Sequence, residues 1–340
     1  MHNNYFFLRP LSKALEEKVK GYTLVSCFSQ NKEELIIELN NGKQSFFIKA
    51  SLQPDFSCLS FPDTFTRSGK NSVDLFNTVL LKKVISVVQF KNERSFSVGL
   101  EDEFQLLFKM HGSRANIILF QGEKAVSIFR SHLTADFEIK LPELHREIDW
   151  SKKHFIENIA RLETTYFTFG KTVWEYLNSI GFESADLEEK WKLINDTLHQ
   201  LEKPSFYILD TGSKIILSLL PFHSIVSHCT EPFKAINEFF HTHSHKEAFY
   251  KEKTAALHSL NAQLKSSLSY VEKNKAKLEE LEHDHHYQVW ADLIMANIHT
   301  IKQGDEKVVL NNFYEDDRPM EIKLKPRLSL QKNAEVYYRK

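Results

Sequence analysis

The spacing of apolar positions divides the chain into segments of different period. Over residues 11–20, Leu11, Leu15 and Val19 recur every fourth position, which predicts an amphipathic helix capped by Ser12 and stopped at Gly21. Alternating or β-branched runs follow as TLVSCFSQ, ELIIELN and QSFFIKASL, with a turn at Asn41-Gly42 between the last two. After a loop holding Pro54 and Pro62, VDLFNTVLLKKV has a helical period, and VISVVQF, ERSFSVGL, EFQLLFKMHG, ANIILFQ and AVSIFRS read as strands. Residues 1–147 are therefore expected to form one α+β domain on a mostly antiparallel sheet.

From Asp149 the period becomes 3.6, and WSKKHFIENIARLE, FGKTVWEYLNSIG and DLEEKWKLINDTLHQLE read as three short helices. SFYILD and KIILSLL, joined by a turn at Thr211-Gly212-Ser213, add a hairpin, and PFKAINEFFHTHS returns to helix, giving a second domain at 148–245. Over 246–288 the leucines take heptad positions. Leu257, Leu264, Val271 and Leu278 lie seven apart, Leu260 and Leu281 share the alternate seam, and Ser267 and Asn274 interrupt it. This predicts a coiled-coil arm of roughly 60 Å at 1.5 Å per residue. Two strands and a turn follow in VVLNNFYEDDRPMEIKLKPRLS, and a last helix begins in SLQKNAEVYYRK. A helix that stops so soon cannot cover the seam, so a truncated second arm at 333–340, or a homodimer through the exposed seam, is expected.

Length and composition narrow the class. At roughly 100–200 residues per domain, 340 residues give two or three domains. Hydrophobic residues at 42% and charged ones at 26% exclude bulk disorder. A net charge of −1 argues against gripping nucleic acid with the whole surface and leaves room for a local basic face. Cys27, Cys58 and Cys229 offer neither a disulfide framework nor a metal knuckle, which predicts reduced thiols and a cytoplasmic location. No signal peptide or run of about 18 apolar residues is found, so no membrane partner is expected.

Enzymatic chemistry has no visible seat: nucleophile elbow, phosphate loop, dinucleotide fingerprint and HExxH helix are all missing. No cofactor is expected. Of His241, His243 and His245, only the first and last share a helix face, and neither they nor His283-Asp284-His285-His286 provide an identifiable third ligand, so surface histidines are expected and no metal. Two segments remain. Residues 89–96 place Lys91 and the adjacent acid and base Glu93-Arg94 at a turn between strands, and FKMHGSRANIILF sets Arg114 between Gly112 and Asn116. A flexible backbone, an amide and a guanidinium suit a phosphate or sugar edge. Over 82–130, eight basic residues oppose five acidic ones, an excess compatible with RNA contact.

The order of these pieces resembles the NFACT family, the fibronectin-binding protein A-like or RqcH-type ribosome quality-control factors. That family carries Q-x-x-x-D-R, which residues 89–94 match with Glu93 in place of Asp. It also carries a Gly-containing segment ending S-N-I-I-L, similar to residues 112–119 with Ala115 in place of Ser. WADLIMANIHTIKQGDEKVVLNNFY and IKLKPRLSLQKNAEVYYRK resemble its G-E-L-L-x-A-N, I-x-x-G, N-Y-Y, L-x-P-x-L-S and N-A-x-x-Y-x-K patterns. The resemblance implies a first domain like the N-terminal part of formamidopyrimidine-DNA glycosylases, a helix-hairpin-helix-like second domain, and a middle domain at 289–332 at the tip of the arm. It also implies a cytoplasmic factor that binds tRNA and the large ribosomal subunit obstructed by peptidyl-tRNA; in bacterial members alanyl-tRNA is recruited for untemplated alanine tailing. Peptide bond formation would belong to the ribosome. Glu93 and Arg94, with Lys91, Arg114 and Asn116 beside them, are the implied tRNA contacts. Departures are Asn3-Asn4-Tyr5 where many members have F-D-G, no Gly-x-Gly in FTFGKTVWEYL, and an expected lack of the C-terminal RNA-binding domain. An adhesin-like or coiled-coil interaction protein without tailing activity is the alternative. A glycosylase is disfavoured, because His2 stands where those enzymes carry a nucleophilic proline.

Overall fold

Asn4 starts the first helix earlier than the apolar period suggests. Its side chain accepts from the Phe6 N–H at 2.9 Å, so α1 (Tyr5–Val19) begins at Tyr5 and buries Phe6, Phe7 and Leu8 as well as Leu11, Leu15 and Val19. It ends before Gly21, whose φ of +81° carries the chain away. The computed structural model describes residues 1–203, 205–283 and 286–340, which form two compact units, Met1–Tyr250 and Lys251–Lys340.

In the first unit β1 (Thr23–Ser29), β2 (Glu34–Asn40), β3 (Ser45–Leu52), β4 (Ser57–Ser60) and β5 (Val73–Asp74) form an antiparallel sheet in the order β4-β3-β2-β1-β5. A second antiparallel sheet is a simple meander of β6 (Val84–Gln89), β7 (Ser95–Leu100), β8 (Phe104–Lys109), β9 (Asn116–Gln121) and β10 (Lys124–Ile128). The helix expected over VDLFNTVLLKKV does not form. Phe76 and Leu81 take left-handed backbone (φ +52° and +66°), which no α-helix continues through, and the segment holds only β5 and a 3-10 turn.

The helices α2 (Lys152–Glu157), α3 (Leu162–Thr165), α4 (Gly170–Ser179) and α5 (Leu187–Glu202) follow. A three-stranded sheet comes next, ordered β12-β11-β13, from β11 (Phe206–Asp210), β12 (Ile215–Ser218) and β13 (Ser224–Cys229). One apolar core joins α1 and both large sheets to Phe155, Tyr166, Phe169, Trp174, Ile194 and Phe206, so the 147/148 boundary falls inside shared packing.

The helix α6 (Pro232–His283) starts in the first unit and continues into the second. Its seam residues Leu257, Leu260, Leu264, Val271, Leu278 and Leu281 are all exposed. In the second unit, α7 (His286–Ala296), the hairpin β14 (Lys307–Asn312) with β15 (Arg318–Lys323), and α8 (Leu330–Tyr338) enclose Leu293, Ile294, Leu310, Ile322 and Ala334. Buried Asn333 ties α8 to the preceding loop: its Oδ1 accepts from the Lys325 N–H at 2.7 Å, and its Nδ2 donates to the carbonyl oxygens of Lys325, Leu328 and Ser329. Among the described residues no helix is long and apolar enough to cross a membrane.

Candidate functional site

The turn between β6 and β7 is held from two directions. Gln89 Nε2 donates to the Tyr5 carbonyl of α1 at 3.2 Å, and Asn92, in left-handed backbone, donates from Nδ2 to the Arg146 carbonyl at 2.8 Å. Residues 145–146 pair with the same turn, since the Arg146 N–H donates to the Lys91 carbonyl at 3.0 Å. A segment far along the chain is thereby fixed beside Glu93 and Arg94.

Glu93 is 4% exposed, and its carboxylate is fully engaged. Oε1 accepts from the Arg94 N–H at 2.7 Å and lies 2.8 Å from His111 Nε2, while Oε2 lies 3.1 Å from Arg146 Nε. Burial by itself would raise its pKa. The hydrogen bonds from His111 and the Arg94 N–H, with the charges of His111 and Arg146, outweigh it and hold the carboxyl below its ordinary value. In this geometry the Glu93 carboxylate holds His111 and Arg146 at the pocket.

Around it opens a pocket of about 590 Å³ lined by the Asn92–Glu93–Arg94 turn, His111, Arg114, Arg146, residues 1–5 and residues 167–172. Four cationic side chains, Arg94, Arg114, Arg146 and Lys171, meet one carboxylate there. Among the described residues Arg94 and Arg114 have no acid partner. Arg114 follows Gly112, whose φ of +63° opens a 3-10 turn at the mouth of β9. The Arg146 guanidinium lies 5.4 Å from the ring of Phe167, a partly exposed aromatic on the pocket wall. His2 adds no positive charge, because burial pushes its pKa down to about 3.

Two of the expected contact residues lie elsewhere. Lys91 does not line the pocket and pairs at the surface with Glu147, 2.5 Å away. Asn116 is fully buried: its Oδ1 accepts from the Arg130 N–H at 2.8 Å, and its Nδ2 donates to Asp136 Oδ2 at 2.7 Å. It orders the loop after β10 and cannot reach a ligand. His111, Arg146, Phe167 and Lys171 are the pocket residues that sequence reasoning missed. His111 lies in the stretch around Gly112, and Phe167 and Lys171 lie in FTFGKTVWEYL, where the missing Gly-x-Gly gives no pointer to a site.

Of the histidines of α6, His241, His245 and His258 are exposed, as expected, and His243 is packed. His243 stacks on Phe56 with ring centroids 3.9 Å apart, and burial lowers its pKa. Asp284 and His285 of the second histidine cluster lie outside the described residues. Among the described residues no three His, Cys, Asp or Glu side chains are grouped to hold a metal ion.

The fold and this site define an α+β protein with a small cationic pocket built on the turn of an antiparallel meander. A sequence model of the NFACT N-terminal and middle domains matches residues 172–340. A Streptococcus pneumoniae protein named Rqc2 homolog RqcH is 18% identical over 98% of this chain and 65% of its own length, and the Bacillus subtilis protein of that name is 29% identical over 77 residues, 22% of this chain and 14% of its own. The fibrinogen binding protein of Staphylococcus aureus matches in fold with a TM-score of 0.52 at 12% identity, covering 71% of this chain and 98% of that one. The N-terminal part of the fibronectin/fibrinogen-binding protein of Streptococcus suis matches with a TM-score of 0.50 at 14% identity, covering 70% and 98%. The chain is a member of the NFACT family. It spans 65% of the length of the pneumococcal relative.

Proposed function

We propose that the pocket around Glu93 is a tRNA-contact site and that the chain acts in ribosome-associated quality control, on a large ribosomal subunit obstructed by peptidyl-tRNA. The observation that carries this reading is the convergence of Arg94, Arg114, Arg146 and Lys171 around a single carboxylate that is already neutralised by its own partners. Two guanidiniums free of acids are suited to phosphate oxygens, and Phe167 offers a ring face to an unstacked base. In this reading the protein's part is to bind and orient tRNA while peptidyl transfer stays with the ribosome. NFACT membership and the RqcH name of its relatives support the same role.

Equilibrium binding of deacylated tRNA, followed by mobility shift, tests the site. Arg94→Ala is expected to lower affinity by roughly tenfold or more, the range of one lost charge-assisted contact, and to flatten the salt dependence by roughly one phosphate contact. Its melting temperature should not change, because the Arg94 side chain supports nothing else in the fold. Equal tRNA affinity in wild type and variant contradicts the assignment.

A further inference from the structure

A second cavity of the Met1–Tyr250 unit, about 790 Å³, opens where the first sheet loses its outer strand. The partner strand β4 covers only residues 49–52 of β3. At Phe61 the ladder stops, because α6 takes over both of that residue's backbone groups: the Phe61 N–H donates to Asn237 Oδ1 and Asn237 Nδ2 donates to the Phe61 carbonyl, each at 2.7 Å. The chain then leaves through Pro62, which has no N–H to give. Residues 45–48 of β3 are left with β2 on one edge and, among the described residues, no strand on the other.

The cavity lies along this free edge and reaches both faces of the sheet. Successive strand residues point to opposite sides, and here both sides are aromatic. Phe46 meets Phe61 and Phe233 at 5.7 and 5.6 Å on one face, and Phe47 meets Phe65 at 6.2 Å on the other. Lys18 and Lys234 line the cavity, with Asp63 its one acidic lining residue. Neither lysine has an acid partner among the described residues.

We propose that this slot takes an extended peptide segment, apolar at its centre and acidic at its ends, which adds a strand to residues 45–48 of β3. An open strand edge asks for main-chain donors and acceptors at the spacing of another strand, which a peptide supplies. Alternate apolar side chains then fall on Phe46, Phe61 and Phe233 on one side and on Phe47 and Phe65 on the other. The acidic ends meet Lys18 and Lys234. The site is separate from the pocket around Glu93 and does not depend on tRNA binding.

Fluorescence anisotropy of the labelled synthetic peptide Asp-Glu-Val-Phe-Val-Phe-Val-Glu-Asp on the whole 340-residue chain tests the proposal. Saturable binding is expected, weakened at least tenfold by the double variant Lys18→Glu, Lys234→Glu and abolished when proline replaces alternate peptide residues. The charge-reversed variant should in turn prefer a peptide flanked by lysines, a result that a misfolded protein cannot produce. Absence of saturable binding, equal binding of the proline peptide, or equal affinity of the acidic peptide for both proteins overturns it. Concentration-dependent sedimentation of the wild type that the double variant abolishes also overturns it, by assigning the slot to a second copy of the chain.

Discussion

Asp136→Ala is expected to destabilise the Met1–Tyr250 unit by about 3–5 kcal/mol, the usual cost of stranding one partner of a buried ion pair. Asp136 and Lys109 are 5% and 8% exposed and pair directly, and the second Asp136 oxygen accepts from Asn116 Nδ2 at 2.7 Å. Asn116 in turn accepts from the Arg130 N–H, and Arg130 donates to the Ser113 and Ala115 carbonyls at 2.8 and 2.9 Å. Removing the carboxylate leaves a buried ammonium and loosens the segment that presents Arg114. Urea unfolding measures the loss. The apolar double variant Lys109→Met, Asp136→Leu should recover part of it, because buried pairs barely exceed well-packed hydrophobic replacements while the buried Asn116 amide still loses its acceptor. A single variant within about 0.5 kcal/mol of wild type, the range of ordinary surface changes, rejects the network as a stabilising element.

Glu93→Ala is expected to reduce tRNA affinity at least as much as Arg94→Ala and, unlike it, to cost about 1–3 kcal/mol of stability. The carboxylate is what keeps Arg146 and His111 at the pocket, so its loss disperses positive charge without removing any. The dependence on pH follows from its depressed pKa. Its contribution is complete above its ordinary value of 4.5 and is lost as pH falls through the lower folded value. The stability gap between wild type and Glu93→Gln, open at neutral pH, should therefore close below about pH 4.5. A gap that persists unchanged into acid contradicts the ionised, paired carboxylate.

Periodicity revealed most regular elements because burial on one face writes itself into local sequence. The strands of the β6–β10 meander and the long heptad helix are of this kind. β4 reads as loop because four residues between Pro54 and Pro62 are too few to show alternation, and β13 escapes the pattern because its Ile225 and Val226 are exposed. The start of α1 is hidden because Pro10 lies inside the helix, where a proline ordinarily marks a boundary. At the site, the Glu93-Arg94 dipeptide was legible as a motif, but the role of Glu93 was not. Its partners His111 and Arg146 come from distant positions, and Arg146 sits at the end of the expected first domain, after its last strand, where no apolar period is visible. Asn116 looked like a ligand group beside a glycine, whereas its contacts with Arg130 and Asp136 are set by tertiary packing alone.

Recovery of RNA bound to the tagged chain in a cell lysate, sequenced beside an Arg94→Ala control, tests the central claim most directly. The account predicts enrichment of large-subunit ribosomal RNA together with a narrow set of tRNAs, with the tRNAs lost in the control. Background RNA without tRNA selection, or tRNA retained equally by the variant, would contradict it.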